Sequence, residues 1–340
     1  MAVQFYTGSY AHAGEIGITR MQADFEQGAL TTVMADAQAE CPSWLKMHPN
    51  GKILYAVREL TEEGGLYTFA IEQGSLRLIS TLPTLGKDPC YISMDESRRF
   101  LFVVNYTDSS FAVFRLNADG LPVELTQHIV HFGSGPNPER QEAAHPHCAV
   151  CSGDIVYVCD LGMDRVFRYR LNTEDGTLRE DREIPMPAGC GPRHLCISSK
   201  NEGLLYVVGE LSSKVYVIRL NGPGSEILQE VSALPDDFTG VSTAAAIKCT
   251  DDGDFLFVSN RGDDSIAVFH IEPNGLLEKT DVCPTGGTTP RDFEICGEYL
   301  VAANQDSDCL TVLHFDRAQM CLEPTGMACD LIRPTLIAKV

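Results

Sequence analysis

C-G-P-R-H-L-C-I-S-S-K-N-E-G-L-L-Y-V-V-G-E-L, residues Cys190 to Leu211, contains two apolar runs and two well-placed charges. The first run, His194 to Ser198, ends in a polar turn from Ser199 to Gly203; the second, Leu204 to Val208, is rich in Tyr and Val. Short β-prone runs joined by a polar, glycine-ended segment predict a hairpin. Its strands are antiparallel, so Arg193 before the first and Glu210 after the second are placed at one end, a fixed cation beside a carboxylate.

The same pair recurs along the chain. Second strands read V-Q-F-Y-T-G from Val3, K-I-L-Y-A-V from Lys52, R-F-L-F-V-V from Arg99 and D-I-V-Y-V-C from Asp154. The series continues with L-L-Y-V-V-G from Leu204, D-F-L-F-V-S from Asp254 and Y-L-V-A-A-N from Tyr299. First strands begin at Pro42, Pro89, Pro146, Pro192, Pro290 and Pro334, with a proline-free member from Val241. Proline suits the first residue of a strand, where no ladder hydrogen bond is lost. Because the chain opens on a second strand and closes on a first strand, Val3 to Thr7 is expected to pair with Thr335 to Lys339, removing two free sheet edges. Two more strand-like runs follow each hairpin, separated by turns such as Asn117 to Gly120, Thr173 to Gly176 and Pro273 to Gly275. Sevenfold repetition of four strands at a spacing of about 50 residues describes an all-β fold: a seven-bladed β-propeller of four-stranded antiparallel blades, one domain over 1–340. A helical solenoid is excluded by the lack of sustained 3.6-residue apolar spacing.

With 340 residues, 44% of them hydrophobic, the chain has ample material for a large core. Acidic side chains number 47 against 26 basic ones, a formal net charge of −21, which disfavours nucleic acid and anionic membrane as partners. No apolar run approaches the ~20 residues of a membrane helix, and the N-terminal residues lack the basic and apolar regions of a secretion signal. A cytoplasmic location is therefore expected. Thirteen cysteines, many inside apolar runs and with Cys148 and Cys151 the single C-x-x-C spacing, read as core thiols rather than as a disulfide framework or zinc site.

In a propeller, the starts of first strands and the ends of second strands gather at one mouth of the central channel. Those positions hold His145, His147, Arg193, His194, Arg291 and Asp292, together with Arg58, Glu59, Asn105, Tyr106, Asp160, Glu210, Asn260, Arg261, Asn304 and Gln305. Four arginines there, in so acidic a chain, suit a carboxylate or phosphate, although each has a neighbouring acid with which to form a structural pair. His145-x-His147 places two imidazoles on one strand face without the acidic or thiol partners expected of a metal site. Trp44, Met47 and the aromatic residues at 55, 102, 157, 206 and 257 recur by repeat position, as core packing does. His12, His128, His131, His270 and His314 show no constellation. The polar segment Gly133 to Ala144 reads as a loop leading into His145.

With G-P-R-H, V-G-E-L, S-N-R-G-D-D-S, T-P-R-D-F and A-A-N-Q in this order on successive repeats, residues 3 to 338 resemble the seven-bladed lactonase family. That family includes the cycloisomerase-type 6-phosphogluconolactonases and the carboxy-cis,cis-muconate cyclases. The resemblance implies hydrolysis of 6-phosphoglucono-1,5-lactone, a small anionic sugar lactone, in the oxidative pentose phosphate pathway, with no cofactor and no metal. It places the catalytic His, Arg, Glu and Arg on His147, Arg193, Glu210 and Arg261, with His145 as the alternative histidine. Glu210 is then expected to act as general base and His147 as proton donor, while Arg193 and Arg261 stabilise the oxyanion. Arg291 is expected to hold the phosphate, and His145, His194, Asn105, Asn260 and Gln305 to line the substrate. A muconate-type cyclase, another sugar lactonase and a non-catalytic binding scaffold are the alternatives. Closure of the ring removes one motive for association, so a monomer is expected.

Overall fold

The computed structural model describes residues 2–222 and 224–340. Among them all regular structure is β, in 28 strands forming seven four-stranded antiparallel blades. The chain divides into two compact units.

One unit comprises Ala2 and Val3, Ala23–Thr31 and Cys190–Ile337. It contains three consecutive blades. The first runs through Pro192–Ile197, Leu204–Gly209, Lys214–Asn221 and Gly224–Ser232. The second has Thr243–Cys249, Phe255–Arg261, Ser265–Ile271 and Leu277–Pro284, and the third Pro290–Cys296, Tyr299–Asn304, Cys309–Asp316 and Cys321–Asp330. Each is a simple meander. Apolar faces of neighbouring blades bury each other: Tyr206, Val208 and Val217 pack with Leu256, Val258 and Phe269, and Phe257 and Val268 pack with Phe293, Leu300 and Leu313.

The other unit, Gln4–Gln22, Thr32–Gly189 and Ala338–Val340, is built alike. Its blades are Leu45–Met47, Ile53–Arg58, Gly65–Glu72 and Ser75–Pro83; then Pro89–Met94, Phe100–Asn105, Ser110–Leu116 and Pro122–Val130; then Pro146–Ser152, Ile155–Asp160, Arg165–Leu171 and Leu178–Pro185. A seventh blade has the strand order Pro334–Lys339, Ala2–Ser9, Ile16–Asp24, Ala29–Gln38, so the N-terminal strand lies beside the C-terminal one, as its sequence requires.

Burial explains the composition of the strands. All six residues of Phe100–Asn105 and of Leu204–Gly209 are buried, as expected of strands covered on both faces, whereas Ser75–Pro83 is mostly exposed. Tyr55, Phe102, Tyr157, Tyr206 and Phe257 are all buried, confirming their packing role. Tyr206 adds a pin: its hydroxyl donates to the Gly275 carbonyl at 3.0 Å, and Tyr55 donates to that of Gly120. Both carbonyls belong to the turns predicted between third and fourth strands. All thirteen cysteines are free thiols.

The first strand at Pro42 is shorter than its sequence suggests, pairing only over Leu45–Met47. The segment Gly133 to Ala144 is a loop, but an anchored one. Gln141 is fully buried; its amide nitrogen donates to the Leu161 carbonyl at 2.9 Å and to Asp164 at 2.8 Å.

Candidate functional site

Inner strands share one irregularity. Pro192 pairs with Gly209 and His194 with Val208, leaving Arg193 without a cross-strand partner. The same slip isolates Cys90, His147 and Arg291, in each case the residue directly after the proline. A bulge adds twist and re-aims the extra side chain. Arg193 therefore lies inside its strand, Pro192–Ile197, and not before it as the apolar pattern suggested.

The ends of the second strands are equally regular. Asn105, Asp160, Gly209, Asn260 and Asn304 face the first residues of the third strands, and the next residue opens the connecting turn. That position holds Tyr106, Leu161, Glu210, Arg261 and Gln305, with Arg261 still paired to Thr243 as the last residue of its strand. The last residue of each turn, Ser109, Asp164, Ser213, Asp264 or Asp308, takes a positive φ between 50° and 57°. Gly209 replaces Asn because a Cβ there would meet the Cys190 carbonyl oxygen at 2.7 Å. The close approach lets the Glu210 amide donate to Gly191 O at 2.7 Å, fixing the backbone beneath the carboxylate.

Arg193, Glu210 and Arg261 meet in the unit that begins at Cys190. Arg193 Nε and Arg261 Nη2 lie 2.9 and 3.0 Å from the same oxygen, Glu210 Oε2. Arg193 and Glu210 are each 2% exposed. Arg193 Nη1 donates to Ala245 O at 2.7 Å and Arg261 Nη2 to Ala244 O at 3.2 Å. Those carbonyls are available because the strand slips its register between Ala244 and Ile247. The Ala244 amide in turn donates to Glu210 O at 3.1 Å, tying the two blades at this point. Arg193 Nη1 is also 3.3 and 3.2 Å from the two ring nitrogens of His194. An in-plane approach between both nitrogens would collide with Cε1, so the guanidinium rests over the ring. Two guanidiniums around one carboxylate leave an excess positive charge in a buried setting, a suitable place for developing negative charge.

Other predicted residues of this unit have more structural surroundings. Asn260 is buried and donates to Ala233 O at 2.8 Å and Ser265 Oγ at 3.2 Å. Gln305 donates from its amide to Asp306 at 2.9 Å. Arg291 is half-buried at its bulge. Its neighbour Asp292 is buried and faces the other way in charge terms, pairing with Lys248 at 3.2 Å, which also reaches Glu294 at 2.9 Å. Burial lifts the Asp292 carboxyl above its ordinary value, against the pull of Lys248. Burial opposes the Lys248 ammonium, yet Asp292 and Glu294 together hold its pKa above the usual lysine value.

In the other unit, His145 and His147 are both buried but differ in setting. His145 stacks on Tyr106 with centroids 4.4 Å apart, and its ring nitrogens lie 3.0 Å from Tyr106 O and 3.1 Å from Glu142 Oε1. His147, the bulge residue, meets the Tyr106 ring edge-on, with Nδ1 3.9 Å from Cys90 Sγ. Glu59 accepts hydrogen bonds from Tyr10 Oη at 2.8 Å and from Ser43 Oγ, and Arg58 pairs with Glu40 at 3.1 Å. Asn105 is committed to the fold, donating to Ser110 Oγ at 3.0 Å.

Two expectations change. Asp160, gathered with the mouth residues, is fully buried and serves as a hub, accepting from the His145 amide at 2.8 Å and the Met163 amide at 3.1 Å. His131, which showed no constellation, completes that hub: Nδ1 is 2.6 Å from Asp160 Oδ2 and Nε2 is 2.8 Å from Tyr169 Oη. No sequence spacing announces this trio, because its members lie on three different segments brought together only by blade pairing.

Comparison with known proteins matches residues 4–338 to the family model described as lactonase, 7-bladed beta-propeller. The 6-phosphogluconolactonase of Bacillus subtilis (strain 168) is 35% identical over 321 residues, covering 92% of this chain and 91% of the relative. Among solved structures, the Pseudomonas aeruginosa periplasmic gluconolactonase superposes with a TM-score of 0.93 at 30% identity, covering 100% of this chain and 99% of that one. A putative 6-phosphogluconolactonase from Bacteroides fragilis gives 0.91 at 27% identity, covering 100% and 98%. The bulged inner strands and the Arg193–Glu210–Arg261 cluster thus belong to a chain that is a member of the seven-bladed β-propeller lactonase family.

Proposed function

We propose that the protein hydrolyses 6-phosphoglucono-1,5-lactone to 6-phosphogluconate, within the cytoplasm and the oxidative branch of the pentose phosphates. The observation that supports this most directly is the sharing of Glu210 Oε2 by two guanidiniums at 2.9 and 3.0 Å. Lactone opening needs an activated water, a stabilised tetrahedral oxyanion and a proton for the departing ring oxygen. In this reading Glu210 takes a proton from water as its oxygen bonds to the lactone carbonyl carbon. Arg193 and Arg261 stabilise the negative charge that gathers on the carbonyl oxygen. The ring C–O bond then breaks and the ring oxygen receives a proton, a donor role assigned to His147. Arg291 holds the phosphate, and His194 keeps the Arg193 guanidinium level against its ring. The pinning of both arginines to Ala244 and Ala245 carbonyls means that little reorganisation accompanies the reaction.

The test is hydrolysis of freshly made 6-phosphogluconolactone, coupled to 6-phosphogluconate dehydrogenase and corrected for spontaneous opening, beside glucono-1,5-lactone. Rapid turnover of the phosphorylated lactone, reduced ~10²- to 10³-fold by Arg193→Ala, is the expected result. Turnover of the unphosphorylated lactone alone moves the assignment to another sugar lactone; no rate with either directs the search to muconates.

A further inference from the structure

At the opposite ends of the strands, the turns between first and second strands follow a common plan. His48–Lys52, Asp95–Arg99 and Thr250–Asp254 are equivalent five-residue connections. In each, the fourth residue donates its amide to the carbonyl of the first, at 2.9, 3.0 and 2.9 Å. The fourth residue is also left-handed, with φ of 69°, 62° and 69°. Two of the three are Gly51 and Gly253; the other is Arg98. The shorter or longer turns of other blades also use glycine at positive φ, at Gly153, Gly203 and Gly297. A long side chain in that conformation is strained, and persists only where the surroundings over-determine it.

Asp95 supplies that constraint. Its buried carboxylate accepts the amides of Ser97 at 3.0 Å, Arg99 at 2.8 Å and Phe100 at 2.7 Å. Its charge is thereby spent on the backbone of the turn. Among the described residues no ion pair engages the Arg98 guanidinium. Arg99 is held by its cation–π contact with Phe100, 5.4 Å from the centroid, and by the Glu174 carbonyl at 3.4 Å, neither of which neutralises it.

Arg98 and Arg99 border a cavity of about 480 Å³ together with His48, Asn50, Ser97 and Asn117. No carboxylate is among the lining residues, although the chain carries 47 acidic residues. His48 Nδ1 accepts the Asn50 amide hydrogen at 3.1 Å, so the neutral ring bears its hydrogen on Nε2. Asn117 uses its Oδ1 to accept the amides of Asp119 and Leu121, which leaves its amide NH₂ as a donor. The volume lies in the range of small-molecule sites.

We propose that this cavity binds a phosphate monoester of metabolite size, with Arg98 and Arg99 on the phosphate and His48 and Asn117 as further donors. Two guanidiniums match a dianion, where a single carboxylate would need one. The site shares no residue with the Arg193–Glu210–Arg261 cluster and does not depend on the function proposed for it. Arg98 then stands where glycine would relax the backbone because the cation is used.

Arg98→Gly is the discriminating variant, since it installs the residue that Gly51 and Gly253 supply in equivalent turns and so does not threaten folding. Calorimetric titration with inorganic phosphate, glucose 6-phosphate and glucose, alongside thermal melts, reads both effects. The expected result is a Tm higher by about 2 °C and phosphate-probe binding weakened about tenfold or more, with Arg98→Lys intermediate. Tighter binding of glucose 6-phosphate than of inorganic phosphate, with none of glucose, identifies the organic part as held. Binding that is equal in wild type and Arg98→Gly, or absent from wild type, overturns the site.

Discussion

The bulge that carries Arg193 and the bulge that carries His147 are the same backbone device put to different uses. Both follow a proline, both interrupt the pairing of an inner strand, and both residues are nearly inaccessible. Around Arg193 the turn-opening residues are charged, Glu210 and Arg261, and the contacts are ion pairs and backbone carbonyls. Around His147 they are Tyr106 and Leu161, with Cys90 at the adjacent bulge, and the contacts are aromatic edges and a thiol. The repeat fixes where a side chain can be presented, and the identity of its neighbours decides whether the setting is one of paired charges, as at Arg193, or of an aromatic edge and a thiol, as at His147.

If that contrast is right, the largest loss belongs to Glu210→Gln. Steady-state hydrolysis is expected to fall ~10²- to 10⁴-fold, and full turnover in this variant removes Glu210 from the role of base. His147→Gln should cost somewhat less, about 10²-fold in kcat, while His145→Gln, whose ring is held by Tyr106 O and Glu142, should cost less than tenfold. The reverse order would make the stacked histidine the proton donor. His131→Phe sharpens the contrast from the other side: urea unfolding should show a loss of about 1–3 kcal/mol from the buried Asp160 Oδ2 deprived of its His131 partner, with kcat unaltered.

A smaller effect is reserved for pH. Burial raises the folded-state pKa of Asp292 above the ordinary 3.8. Between 3.8 and that raised value the folded state binds more protons than the unfolded one. Its contribution to stability therefore falls as pH rises through the window, by up to about 1.4 kcal/mol per pH unit. The difference in unfolding free energy between wild type and Asp292→Asn, followed upward from pH 3.8, should decline accordingly; a flat difference would mean that Lys248 fully offsets the burial.

Strand runs, their sevenfold recurrence and the pairing of the terminal strands were legible in the sequence because each rests on local periodicity or simple counting. So was the meeting of Arg193 with Glu210, since both flank one hairpin. The bulge was not, because a bulge exists only relative to a partner strand; Pro192 marked the strand start, yet the apolar pattern began at His194. The truncated strand at Pro42 failed for a related reason, its proline satisfying the pattern ahead of a ladder that reaches back only to the hydrogen bond from the Val57 amide to Trp44 O. The Asp160–His131–Tyr169 hub needs long-range pairing, and Arg98 gains meaning only when its φ is compared with those of the glycines in sister turns.

The thirteen free thiols give the molecule a built-in clock. Burial pushes Cys151 up to about 12 and Cys283 up to about 11, while the hydrogen bond with Cys196, followed by burial, raises Cys249 well above the ordinary thiol. Cys90, Cys148, Cys159, Cys190, Cys283 and Cys296 are also buried, and since only an accessible thiolate reacts, alkylation of these six sulfurs waits for local opening. Its rate at each buried cysteine therefore reports how often that region opens, without any label being engineered.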